Sequence, residues 1–174
     1  MEKAAQRKTL IGVIGASDAD RAAAREAHAL GREAALRGYA LVCGGLGGVM
    51  EAACRGAREA SAGALVVGVL PGYRKEEANP YVDLVITTGM GHARNCIVAS
   101  SADAVVAVGG GSGTLSEIAF AWMLGKPIVV IEGLGGVSSG MAGGTLDRRR
   151  GDRIQGAPDA ARALDLVEKL LAGQ

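Results

Sequence analysis

Short apolar runs alternate with longer, alanine-rich stretches of mixed charge along almost the whole chain. Leu10–Ile14, Tyr39–Cys43, Ala64–Leu70, Leu84–Thr87, Ala104–Val108 and Ile128–Ile131 are rich in Val, Ile and Leu. Such near-continuous runs mark strands covered on both faces. Between them, Arg21–Arg37, Val49–Ala60, His92–Ser101 and a stretch ending near Leu124 have the length and residue mix of helices. The alternation predicts βαβ units wound over a parallel sheet, an α/β protein of six or seven strands in three layers.

Punctuation residues fall where that scheme needs them. Asp18 or Asp20 can cap the first helix, Gly38 can end it, and Pro71-Gly72 stops the third strand. Tyr73–Tyr81, polar and holding Pro80, reads as a surface excursion, and Gly125-Lys126-Pro127 closes a later helix. From Gly133 to Gly156 the pattern decays into Gly, Ser and Arg, which predicts a mobile loop with one short strand around Arg153–Gln155. Ala157-Pro158-Asp159 then opens a last helix to about Leu171, with proline in its first turn and a buried stripe of Leu164, Val167, Leu170 and Leu171. No second domain and no internal repeat interrupts residues 1–174.

Composition narrows the functional classes. Nineteen basic residues against eighteen acidic ones leave a net charge of +1, and there are only one Trp, one Phe and three Tyr. That argues against nucleic acid as a partner, since both a phosphate grip and base stacking lack material. The one dense basic run, Arg148, Arg149, Arg150 and Arg153, is broken by Asp147 and Asp152 and reads as a solvated loop. Cys43, Cys54 and Cys96 show no CxxC spacing, so no metal site is expected, and free thiols suit the cytoplasm. The charged Met1–Lys8 stretch has no apolar run of the length a signal peptide needs, so none is expected, and no apolar stretch is long enough to cross a membrane.

Glycine changes the picture most. There are 28 glycines in 174 residues, about twice the usual share. Three glycine-bearing loops follow strands: Gly15–Ser17, Gly44–Gly48 and Gly109–Thr114. In a doubly wound sheet these loops meet at the carboxyl edge, where backbone N–H groups at helix N-termini can hold an anion. The residues expected to bind a phosphate-bearing ligand are Gly15, Ser17, Gly44, Gly45, Gly47, Met50, Gly110, Gly111, Ser112, Gly113 and Thr114. Ser17 has a second role open to it, as a helix cap. Two familiar phosphate motifs are absent: no Gly-Lys-Ser/Thr occurs, and Met50 stands where a dinucleotide fingerprint would have its third glycine. Glu117 lies about one turn into the helix after Gly113, Arg94 opens another helix at the same edge, and together they form a cation–carboxylate pair suited to a sugar phosphate. His92 lies beside Arg94 without a partner visible in the sequence.

Gly110-Gly111-Ser112-Gly113-Thr114-Leu115-Ser116-Glu117 resembles the PGGxGTxxE signature of the LOG ("Lonely Guy") family and the related molybdenum-cofactor carrier proteins. The likeness extends over residues 9–132 and includes Cys43–Met50 and Ala93-Arg94-Asn95. It implies a Rossmann-like fold. It also implies Arg94 and Glu117 as a catalytic pair that hydrolyses the N-glycosidic bond of a nucleoside 5′-monophosphate. Gly109 replaces the signature's proline and Asn95 replaces a lysine, which places the chain nearer the carrier branch. The alternative is then a binding protein for a nucleotide or a molybdopterin-type ligand, with no cofactor required. The segment from Gly113 to Leu124 is apolar nearly all round, so a homodimer through that helix is expected.

Overall fold

The computed structural model describes residues 7–173, so part of the N-terminal stretch read above lies outside the described residues. Seven strands, β1 (Leu10–Gly15), β2 (Ala40–Cys43), β3 (Val66–Leu70), β4 (Leu84–Thr87), β5 (Ala104–Val108), β6 (Ile128–Ile131) and β7 (Gln155–Ala157), form one sheet. Their order is β4-β3-β2-β1-β5-β6-β7, and every pairing is parallel. Chain direction across the sheet reverses between β1 and β5, so the switch point lies between the loops that leave those two strands.

Alternate residues of each strand feed two cores. Ile11, Val13, Leu41, Val106 and Val129 pack under α1 (Arg21–Leu36), α2 (Val49–Ala60) and α5 (Ala160–Ala172). Ile14, Val42, Val105, Ala107 and Val130 pack under α3 (Asn95–Ser101) and α4 (Ser112–Met123). The three-layer, doubly wound fold expected from the alternation is therefore the observed one.

Helices α1 and α2 touch backbone to backbone. A Cβ at Gly31 would collide with the Ala53 carbonyl oxygen, and one at Gly56 with the His28 carbonyl oxygen. Two glycines thus replace side-chain interdigitation with a reciprocal close contact. Both helices start at the glycine loops of β1 and β2, so this contact sets how far apart those loops stand.

The carboxyl-terminal third departs from the sequence reading in three ways. The last strand is Gln155–Ala157 rather than one around Arg153. Pro158 precedes the helix instead of lying in its first turn, because Asp159 is the cap and accepts from the Arg162 N–H at 2.8 Å. The 133–156 segment has little regular structure, yet it is stitched to α4. The Trp122 Nε1–H donates to Asp147 at 2.9 Å, and the Arg150 guanidinium lies 4.6 Å from the Trp122 ring centroid. Arg150 also donates to the carbonyls of Trp122 and Lys126, closing the end of α4. Arg148, Arg149 and Arg153 stand exposed, as the solvated run that the alternating charges suggested, and within that run Arg150 is the residue drawn inward.

Candidate functional site

A cavity of about 440 Å³ opens at the switch point. Its walls come from the loop after β1 (Gly15, Ala16, Ser17, Asp18), from Leu46 and Met50, from His92, Arg94 and Asn95, and from Gly111–Thr114 with Glu117. The expected glycine loops and the Arg94–Glu117 pair therefore share one cleft. Of the expected binding residues, Gly15, Ser17, Met50, Gly111, Ser112, Gly113, Thr114, Arg94 and Glu117 line it directly.

The remaining glycines shape the walls from behind. Gly44 lies under the Arg94 guanidinium, which occupies the space a side chain there would need. Gly45 (φ +71°) packs on Gly68 and Leu70. A side chain at Gly48 would strike the Ala16 and Ser17 backbone, so the first two loops interlock. Gly47 has Ser17 and Glu51 as its nearest neighbours. Gly110 (φ +92°) is pressed against Thr114. Gly111, by contrast, has nothing within 4 Å of where its Cβ would be.

The three helix starts are not equivalent. Asp20 caps α1 by accepting from the Ala23 N–H at 2.8 Å, so a carboxylate already serves that terminus. At α2 the Val49 N–H donates to the Ala16 carbonyl at 2.9 Å, and Glu51 sits in the first turn. Helix α4 has no side-chain cap and no acidic residue in its first turn. Its Ser112, Gly113 and Thr114 amides face no protein acceptor among the described residues. An anion is stabilised best at this one terminus.

Arg94 and Glu117 meet inside the cleft, with Arg94 Nη1 to Glu117 Oε1 at 3.2 Å. Both side chains are about nine-tenths buried. Burial raises the Glu117 carboxyl to about 7, against the opposing pull of the Arg94 charge and hydrogen bond. Arg94 Nη1 also donates to Asn95 Oδ1 at 2.6 Å, and Asn95 Nδ2 donates to Ser116 Oγ at 2.7 Å and to the Gly113 carbonyl at 3.3 Å. This chain ties the guanidinium to the start of α4. The Arg94 Nε–H is buried with no acceptor, a donor left over for something that enters the cleft.

Sequence reasoning placed Asn95 only as a departure from a motif. It did not find Asp18 or Leu46 as wall residues, and neither carries a pattern that would have marked it. Cys43 and Cys54 lie in contact behind the second loop, Sγ to Sγ at 3.6 Å. Hydrogen bonding to Cys43 and burial together push the Cys54 thiol up. Among the described residues no helix is long and apolar enough to cross a membrane, and no three His, Cys, Asp or Glu side chains gather as a metal site would require.

A parallel, doubly wound sheet with an open cleft at its switch point defines the Rossmann-like class of α/β proteins. Residues 8–159 match the SLOG cluster4 family, and the chain belongs to it. It is 50% identical over 130 residues to an uncharacterized protein of Archaeoglobus fulgidus, covering 71% of this chain and 84% of that one. Among solved structures it is similar to the molybdenum cofactor binding protein of the phototrophic bacterium Rippkaea orientalis (31% identity, TM-score 0.80, 96% of this chain and 99% of that one). It is also similar to the molybdenum cofactor carrier protein of Chlamydomonas reinhardtii (36% identity, TM-score 0.78, 95% of this chain and 99% of that one). The resemblance to the LOG and molybdenum-cofactor carrier superfamily drawn from the glycine motifs is thereby established.

Proposed function

We propose that this protein binds a phosphate-bearing small molecule of the molybdopterin or nucleotide kind and carries it without turning it over. The observation that carries the reading is the uncapped start of α4 facing the cleft beside the unpartnered Arg94 Nε–H. A phosphate there accepts from the Ser112–Thr114 amides and from Arg94, while the heterocycle lies toward Leu46 and Met50. Two relatives that match over nearly their whole length are described as molybdenum cofactor binding and carrier proteins, which favours carriage. The Arg94–Asn95 lock favours it too, since a guanidinium held by two acceptors is a binding fixture rather than a moving part.

A second reading keeps the expected hydrolysis of a nucleoside 5′-monophosphate. Its support is Glu117, whose carboxyl titrates near neutrality beside the phosphate seat and so suits proton transfer to a departing base or from a water. Both readings meet in one experiment. Small molecules released from the purified protein are identified by mass spectrometry, and AMP is titrated calorimetrically and then assayed for free adenine. The carrier reading expects a phosphate monoester bound, no adenine, and at least tenfold weaker binding in Arg94→Ala. Adenine release by the wild type that disappears in Glu117→Gln establishes the hydrolase instead. If no phosphate compound is released and AMP gives no heat, both fall.

The homodimer belongs to the same proposal. Outside the buried Glu117, α3 and α4 carry no charged residue, whereas α1, α2 and α5 are studded with them. Leu115, Met123 and Leu124 stand exposed on that uncharged layer, a face suited to a second copy. Light scattering at micromolar concentration is expected to give twice the chain mass of 17.5 kDa. The mass of a single chain overturns it.

A further inference from the structure

We infer that Asn79, which lies outside the cleft in the segment between β3 and β4, is the positioning residue that aims the amides of the second glycine loop at the ligand. The inference rests on the binding reading above. Asn79 is buried, although it sits in a polar excursion between a 3-10 turn (Lys75–Glu77) and Pro80. All of its polar groups are engaged. Its backbone N–H donates to the Gly45 carbonyl at 2.9 Å, and its Nδ2 donates to the Leu46 carbonyl at 3.0 Å and to Cys54 Sγ at 3.7 Å. Its Oδ1 accepts from the Tyr81 N–H at 3.2 Å, which holds the amide group in that orientation.

The geometry of the trans peptide supplies the consequence. The N–H of each residue points opposite to the carbonyl of the residue before it. By drawing the Gly45 and Leu46 carbonyls to its own side, Asn79 turns the Leu46 and Gly47 N–H groups the other way. Leu46 forms part of the cleft wall. Neither amide has a protein acceptor among the described residues. The Gly45 N–H is itself occupied, donating to Cys43 Sγ at 3.3 Å, so the loop is pinned at its first residue and steered at the next two. A buried asparagine that satisfies two carbonyls and frees two amides supplies donors for a second anionic or carbonyl group of the ligand, away from α4.

The test compares Asn79→Ala and Asn79→Asp with the wild type. The aspartate keeps the volume and the acceptor for Tyr81 but sets an oxygen against the Leu46 carbonyl. AMP affinity is measured by calorimetry, and the Leu46 and Gly47 amide resonances are followed by NMR on the same proteins. Both variants are expected to stay folded, to shift the Gly47 resonance most, since the side chain holds its peptide while the Gly45 carbonyl keeps its backbone donor, and to bind AMP about tenfold more weakly, with the aspartate no better than the alanine. Unchanged resonances overturn the inference whatever the affinity does, as does AMP binding within twofold of wild type. Recovery of affinity by the aspartate alone shows that Asn79 acts by packing, which also overturns it. If the wild type itself does not bind AMP, the binding reading fails for that ligand, and the resonances alone decide whether Asn79 orients the loop.

Discussion

Replacing Gly56 with alanine is expected to destabilise the protein by about 3 kcal/mol or more. In an isolated helix the same change is favourable by roughly 1 kcal/mol, because alanine loses less backbone entropy. Here the methyl group meets the His28 carbonyl oxygen of α1, a backbone atom with no rotamer to escape into. The helices must separate, and the Gly31 contact with the Ala53 carbonyl opens with them. Gly31→Ala is expected to behave alike and Gly140→Ala, where the added carbon meets nothing, to be neutral within about 0.5 kcal/mol. Denaturant midpoints for the three variants decide the matter. Equal midpoints would mean that the interhelical contact yields without cost. The effect reaches the cleft, since the loops at the start of α1 and α2 spread as their helices part.

The second large effect is a dependence of stability on pH that traces to one carboxyl. Glu117 holds its proton up to about pH 7, whereas its ordinary value is 4.5. Between those two values the folded chain keeps a proton that the unfolded chain has released. The contribution is complete below about pH 4.5 and is lost as pH climbs through 7, a swing on the order of 3 kcal/mol. Glu117→Gln removes it, because an amide does not titrate. The difference in unfolding free energy between wild type and variant, followed from pH 5 to 8, is expected to move in favour of the glutamine as pH rises. Parallel curves would show that the Arg94 charge at 3.2 Å, not burial, governs this carboxyl. An anion bound at the start of α4 adds negative charge nearby and holds the proton still more firmly, so ligand binding near pH 7 to 8 should take up protons from the buffer.

How much of this was legible beforehand follows the physics of each feature. Strands covered on both faces announce themselves as apolar runs, so β1 to β6 fell within a residue or two of their places. The carboxyl-edge convergence of Gly15, Met50, Gly111 and Glu117 followed from topology, because a parallel sheet brings all its strand-to-helix loops to one edge. What stayed hidden depends on contacts between distant parts of the chain. Arg150 sits in a run of alternating charges, and nothing local says that it will lie over Trp122 and close α4. Asn79 is one polar residue in a polar stretch, and its role exists only because Leu46 is folded against it. Gly31 and Gly56 look like poor helix residues until the facing backbone is in view. The unequal helix starts were hidden for the same reason: Asp20 is a visible cap, but the Ala16 carbonyl that serves α2 comes from another loop.

One feature of the cleft reaches beyond any single variant. The Arg94 guanidinium fills the room over Gly44 that a side chain there would take, and Asn95 and Glu117 keep it from moving aside. Positions 44 and 94 are therefore sterically coupled: loss of the arginine removes one of the two groups that crowd position 44, Met50 Sδ being the other, whereas enlarging 44 first forces the arginine out of its place. Across diverging descendants the two sites should change hands together, leaving a correlated trace even where the rest of the cleft has drifted.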